Sequence, residues 1–129
     1  MNVNPYLGAE HTITVMPDYG MGPYAWQKPT TDESPYVGIC IATATDGFEA
    51  DDGTKISAEL EAEFNEWTAQ FEQFAESPNF DWESFHRSGL ILSKKLKAAL
   101  GPNYRVVYHK PCEDPHREAN EYTEIAGDA

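Results

Sequence analysis

The segment "HKPCEDPH", residues 109–116, carries the side chains best suited to metal chemistry. His109, Cys112 and His116 lie three and four residues apart. A soft thiolate combined with two imidazoles is a ligand set that suits Zn²⁺. A fourth ligand is not obvious, and two prolines stiffen the segment, so an ordinary exit from a strand explains it more simply. We therefore predict no metal or other cofactor, and keep these three residues as the alternative metal site.

A second stretch, "MPDYGMGPYAW" at residues 16–26, ends a strand-like run at a proline. Its aspartate follows the strand, where a carboxylate can accept a hydrogen bond from backbone N–H groups of the next turn. Its glycines permit positive φ angles. A loop that is only pinned down by its aromatic rings would explain this composition, but aromatic loops also supply binding hot spots. We predict partner contacts from Asp18, Tyr19, Tyr24 and Trp26.

A third group consists of four carboxylates in the short segment 46–52: Asp46, Glu49, Asp51 and Asp52. The spacing does not match an EF-hand, because the regular ligand positions and the closing glutamate are absent. A solvated acidic turn is one interpretation. The other is a loop that docks onto a basic partner, and we include these four residues in the predicted partner-binding site.

The overall charge limits the classes of partner. The chain of 129 residues has 22 acidic and nine basic residues, a net charge of −13. Such a chain repels nucleic acid and anionic membranes, and it attracts a basic protein. The two cysteines do not form a disulfide framework, and neither a signal peptide nor a run of about 18 apolar residues is evident. We expect a cytoplasmic protein. The simpler explanation of its negative net charge is that the protein is generally acidic and that the charge has no dedicated role.

The few cations are clustered. Between Ser84 and Cys112 there is no carboxylate, while six of the nine cations lie there. Lys94, Lys95 and Lys97 fall opposite the leucine stripe of a predicted helix, so they form an exposed patch. This patch is either a solvated face paired with glutamates elsewhere or a docking surface for an acidic protein, including a second copy of this chain.

Hydrophobic periodicity supplies the elements that must position these residues. Alternation or apolar runs predict strands at 11–16, 36–45 and 104–109, the second being central and buried on both faces. Residues 17–35 and 46–55 are predicted as loops, and additional short strands are allowed for within 22–35. Spacings of three and four predict a helix from Ser57 to before Pro78 and a second from Asp81 to Gly101.

This order of elements predicts one α+β domain over residues 1–129. Its fold would be a small, mostly antiparallel sheet of about three or more strands with two helices packed on one face. The ordered core is expected at residues 11–110, and the acidic tail at 111–129 is expected to be flexible.

Two segments resemble a set of small bacterial proteins. The first is the strand ending in "DYG" with a Trp a few positions later, "DYGMGPYAW"; the second is "FHRSGLILSKKLKAALGPNYRVVY". The resemblance covers about residues 11–109. Some of these proteins are similar to immunity proteins encoded beside polymorphic or contact-dependent toxins, and the resemblance carries no catalytic residue over to this chain.

The resemblance implies a protein–protein interaction module that neutralises a cognate toxin domain, with a basic toxin domain as the expected partner. Two alternatives remain. One is a small-molecule or metal-dependent enzyme that uses Asp18 and the 109–116 segment. The other is a housekeeping domain without a dedicated site. The oligomeric state stays open.

Overall fold

A computed structural model describes residues 11–29, 38–117 and 121–125. Within them lie two helices, α1 (Ala58–Phe74) and α2 (Trp82–Leu100). The strands are β1 (His11–Val15), β2 (Ala25–Pro29), β3 (Ile39–Thr43), β4 (Gly47–Phe48), β5 (Tyr104–His109) and β6 (Tyr122–Ile125).

The strands form one sheet in the order β4-β3-β2-β1-β5-β6. Only β1 and β5 run parallel, and every other neighbouring pair is antiparallel. The two helices lie between β4 and β5 in the chain, and they supply the long crossover that a parallel pair requires. The predicted α+β fold with a mostly antiparallel sheet is therefore confirmed.

Local signals start and end both helices as the sequence indicates. The Ser57 hydroxyl accepts a hydrogen bond from the Leu60 N–H at 3.1 Å, which caps α1. The Asp81 carboxylate accepts one from the Ser84 N–H at 3.0 Å, which caps α2. Gly101 follows α2 with a φ of 84°, a conformation that favours glycine.

Aromatic rings join the helices to one face of the sheet. Phe64 on α1 stacks on Tyr24 with ring centres 4.5 Å apart. Trp67 stacks on Phe85 of α2 at 4.6 Å and lies 6.1 Å from Tyr108 of β5. Aromatic contacts of this kind add stability beyond the burial of area. The core thus lies between the helices and the sheet.

Two strands were predicted only in part. Residues 25–29 form β2 in the middle of the sheet, within the part of the predicted 17–35 loop where an additional short strand was allowed for; residues 30–37 lie outside the described residues. The predicted central strand, 36–45, is observed as β3, second from one edge. Its Ile39 is 72% exposed. The apolar run therefore does not mark a strand buried on both faces.

Two shorter strands also replace predicted loops. β4 interrupts the predicted acidic loop at 46–55. In the tail that was predicted to be flexible, β6 pairs with β5, and its Ile125 is buried in the core. Residues 118–120 and 126–129 lie outside the described residues. In the described part of the chain, neither helix is long and apolar enough to cross a bilayer.

Candidate functional site

The 16–24 loop joins β1 to β2 at the end of the sheet where β1 finishes, which we call the Val15 end. The Asp18 carboxylate accepts a hydrogen bond from the Tyr19 N–H at 2.8 Å, as the sequence suggested. One oxygen of Glu72, on α1, accepts from the N–H groups of Gly20 and Gly22 at 2.8 and 3.2 Å. The loop is therefore fastened to the helix by a single carboxylate.

Three consecutive residues at the tip of this loop have positive φ angles. Gly20 and Gly22 adopt 91° and 62°, and Met21 between them adopts 63°. For a residue with a side chain this conformation costs about 1–2 kcal/mol. Met21 is nevertheless 58% exposed, and Tyr19 is 40% exposed. The strained turn thus presents two large side chains to solvent.

Several carboxylates act electrostatically on the Tyr19 side chain. The pKa of Tyr19 is raised, first by partial removal of the side chain from water, then by the charges of Glu76 and Glu113, and then by the smaller effects of Cys112 and Asp18. Glu76 follows α1 and Glu113 follows β5, so these charges come from separate parts of the chain. The Val15 end is consequently an electronegative surface around an exposed aromatic ring.

Asp46 lies at the same end, in the turn between β3 and β4. Its neighbour Ala44 donates its N–H to the Met21 carbonyl at 2.8 Å, which joins this turn to the 16–24 loop. Asp18 and Asp46 also both raise the pKa of the Cys40 thiol, after the larger effect of burial. We call the following five carboxylates the acidic end surface: Asp18, Asp46, Glu72, Glu76 and Glu113.

The other three acids of the predicted loop lie elsewhere. Asp52 accepts a hydrogen bond from the Thr54 N–H at 3.0 Å and lies 4.0 Å from the His11 imidazole, at the opposite end of β1. The Asp51 N–H bonds the Gln27 side chain at 2.8 Å. β1 spans roughly 13 Å. Because β4 carries the chain back along the sheet, Glu49, Asp51 and Asp52 leave the acidic end surface.

Two predicted contact residues are held by the fold itself. Tyr24 is 0% exposed and packs on Phe64, so its ring belongs to the core and cannot touch a partner. Trp26 is half-buried, and its indole N–H donates to the Met16 carbonyl at 3.0 Å. Only Asp18, Tyr19 and Asp46 of the eight predicted residues come together at one exposed surface.

The alternative metal ligands are not gathered into a site. The His109 ring bonds the Lys110 carbonyl through Nδ1 at 2.8 Å and is buried, whereas Cys112 and His116 are exposed. In the described ranges, no group of three or more His, Cys, Asp or Glu side chains is arranged to hold a metal ion.

A buried network that the sequence did not predict lies beside that segment. His86 Nδ1 lies 2.6 Å from the Tyr108 hydroxyl, and His86 Nε2 lies 2.7 Å from Asp114 Oδ2. Burial lowers the pKa of His86, against the opposing effect of Asp114. Burial opposes ionisation of Asp114, but its bonds to His86 and to the His116 N–H outweigh this and lower the pKa of Asp114. A neutral imidazole between an ionised aspartate and a tyrosine hydroxyl fits these directions.

This network fastens the 111–117 segment to α2 and β5. It thereby fixes the neighbouring Glu113, which belongs to the acidic end surface. Its partners are 22 and 28 residues apart in the chain, so no local spacing reveals it.

Comparison with known proteins identifies the family. The family model described as Serratia CdiI immunity protein-like matches residues 11–111. This chain belongs to that family. No curated protein and no solved structure matches it.

The family match covers one part of the candidate site and not the other. The 16–24 loop, Asp46 and all of α1 and α2 lie within the matched residues of this immunity-like protein. Glu113, Asp114 and β6 lie beyond residue 111. The acidic end surface therefore combines a part that the family model covers with a part that it does not.

Proposed function

We propose that this protein neutralises a cognate bacterial toxin by binding its toxin domain in the cytoplasm. The observation that carries this proposal is the match to the immunity-like family over residues 11–111, most of the described chain. The role is stoichiometric binding, and it requires no catalytic group on this chain.

The acidic end surface supports a basic toxin domain as the partner. Five carboxylates from four parts of the chain converge there, and a basic groove or active site would find complementary charge. Such charges speed the diffusional encounter more than they raise final affinity. We therefore assign the steering role to Asp18 and Asp46, which lie on exposed turns.

Tyr19 and Met21 are suited to hold the complex together. Both are large, exposed and carried on a loop that is already fixed by Glu72, so ordering them on binding costs little. Aromatic anchors of this kind act mainly on dissociation. Trp26 supports the loop through Met16 and is not assigned a direct contact.

The test compares two double variants that remove the same charge. Asp18→Asn with Asp46→Asn alters the acidic end surface, and Asn retains an oxygen to accept the Tyr19 N–H. Glu49→Gln with Asp51→Asn is the matched control away from that surface. The binding partner is the toxin domain encoded by the adjacent gene, and association and dissociation rates are measured at low and high salt.

We expect the first double variant to associate several-fold more slowly at low salt, with a smaller difference at high salt because ions screen the attraction. The control should resemble wild type. Tyr19→Ala should mainly accelerate dissociation. Absence of binding between wild-type protein and the toxin domain would refute the function, and equal rates for both double variants would refute the surface.

A further inference from the structure

A groove of about 370 Å³ borders the acidic end surface. One wall is the connection from α1 to α2, residues 75–82, and the other is the segment 113–116. The groove has apolar and proline-bearing walls with two carboxylates among its lining residues: Pro78, Phe80, Trp82, Pro115, Glu76 and Glu113.

Hydrogen bonds fix both walls before any partner arrives. In the first wall, the Ser77 N–H bonds the Phe74 carbonyl at 2.9 Å and the Phe80 N–H bonds the Ser77 carbonyl at 3.2 Å. The second wall is held by the buried bond between Asp114 and His86. A groove with fixed walls can receive a side chain without the cost of ordering its own backbone.

The aromatic floor of the groove is also fixed. The rings of Phe80 and Trp82 meet edge to face with centres 4.7 Å apart. Trp82 is packed against His86 and is only 8% exposed, so it offers one limited face to the groove. Because only a limited aromatic area is exposed, the groove best accommodates a flat or extended apolar group that packs between its two walls.

The described residues that line the groove include the carboxylates Glu76 and Glu113 and no lysine or arginine. The Arg117 side chain donates to the Lys110 carbonyl at 3.2 Å, and the Lys110 ammonium pairs with Glu121 at 3.1 Å. Both glutamates also raise the pKa of Tyr19, after the larger effect of its burial. A cationic group in the groove would be attracted by both carboxylates.

We propose that this groove receives an arginine side chain of the toxin domain, with the guanidinium between Glu76 and Glu113 and its apolar stem against Pro78, Phe80 and Trp82. This inference rests on the proposed function for the identity of the partner. Arginine fits because its planar head stacks on aromatic faces and bonds carboxylates through paired N–H groups, while its stem packs on apolar walls.

The first experiment measures ligand binding at the groove in the absence of the toxin. N-acetyl-arginine amide is titrated into the isotopically labelled protein, and the Trp82 indole N–H and the amides of residues 75–77, 79 and 80 are followed by NMR. The neutral isostere N-acetyl-citrulline amide is titrated in parallel. The protein variants are Glu76→Gln with Glu113→Gln, and the charge-matched control Glu59→Gln with Glu66→Gln on the exposed face of α1.

We expect saturable shifts at the groove with the arginine compound, and binding at least about five-fold weaker with the citrulline compound or with the groove variant. The control variant should bind as wild type does. Equal titration by both compounds, equal binding by both variants or no shift at the groove would each overturn the inference.

The second experiment measures affinity for the toxin domain. The groove variant should bind about ten-fold more weakly, and the control variant within about two-fold of wild type. If wild type binds and the two variants are equal, the groove inference is wrong and the proposed function stands. If the wild-type protein does not bind the toxin domain, the proposed function is wrong. The arginine then cannot come from the toxin domain, so the inference in this form is wrong as well.

Discussion

Gly89 on α2 provides a direct test of how the helices pack on the sheet. A Cβ atom added there would lie 2.7 Å from Trp67 Cζ2 and would also collide with the ring of Tyr108. Neither ring can easily give way. The Trp67 indole donates to the Phe85 carbonyl at 3.0 Å, and the Tyr108 hydroxyl is bonded to His86.

The magnitude follows from two opposed effects. Alanine is favoured over glycine inside a helix by about 1 kcal/mol. Overpacking a buried contact costs about 1–3 kcal/mol, and contacts under 3.0 Å force the neighbours to shift. We therefore expect Gly89→Ala to lower the free energy of unfolding by about 1 kcal/mol, and Gly89→Leu to lower it by about 3 kcal/mol because its larger side chain has no space between the rings.

The assay is urea unfolding followed by tryptophan fluorescence, with the midpoint and the slope fitted separately. Ser88→Ala is the control, because Ser88 is the preceding residue of the same helix and is exposed. It should be slightly stabilising through helix propensity alone. If Gly89→Ala proves as stable as Ser88→Ala at an unchanged slope, the close approach of α2 to Trp67 and Tyr108 is wrong.

Two further predictions concern the hydrogen bonds that hold the 16–24 loop and the 111–117 segment in place. Glu72→Ala should lower the free energy of unfolding by about 1 kcal/mol and speed amide hydrogen exchange in the 16–24 loop, whereas Gln73→Ala should do neither. Stability should fall as pH drops below about 6.5, because the unfolded chain takes up a proton at His86 that burial disfavours in the folded state. In urea unfolding at pH 7 and pH 5, His86→Gln should reduce this fall; an unchanged fall would exclude His86 as a source.

The helices could be predicted because their signals are local. Spacings of three and four mark the buried stripe, and Ser57, Asp81 and Gly101 mark starts and an end within one turn of the helix. Gly89 lies on this buried stripe, and a glycine at such a position is typical of a close approach between packed elements. Its partners could not be predicted, because Trp67 and Tyr108 come from α1 and β5.

The strands were harder because their partners are distant. β2 has only five residues and follows a loop rich in proline and glycine, so alternation does not stand out. β6 lies in an acidic tail, and it becomes a strand by pairing with the edge of β5 and burying Ile125. Sheet order, and therefore whether β3 is central, depends on pairings that no local pattern encodes.

The grouping of the candidate site residues could be predicted only in part for the same reason, and their contact with a partner stays a prediction. Asp18 and Tyr19 could be placed in one turn because an aspartate before glycines and aromatics signals an unusual turn. Asp46 was grouped with its neighbours in sequence, but β4 separates it from Asp51 and Asp52. Glu72 was missed because an exposed glutamate on an amphipathic helix gives no sign that it bonds a loop about 50 residues away.

Within the described part of the chain, the distribution of ion pairs explains why unpaired negative charge is concentrated at the Val15 end of the sheet. Much of the basic region between residues 84 and 112 is neutralised within the protein, by the pairs Arg87–Glu83, Lys95–Glu63, Arg105–Glu124 and Lys110–Glu121. On α2, Lys95 is paired with Glu63 and Lys97 donates to the Gly101 and Tyr104 carbonyls, which supports a paired face over a docking patch at these two lysines. Exposed pairs contribute little to stability, so their main effect is on the field around the protein. With these cations neutralised at their own positions, the acids at the Val15 end keep their attraction for a basic partner.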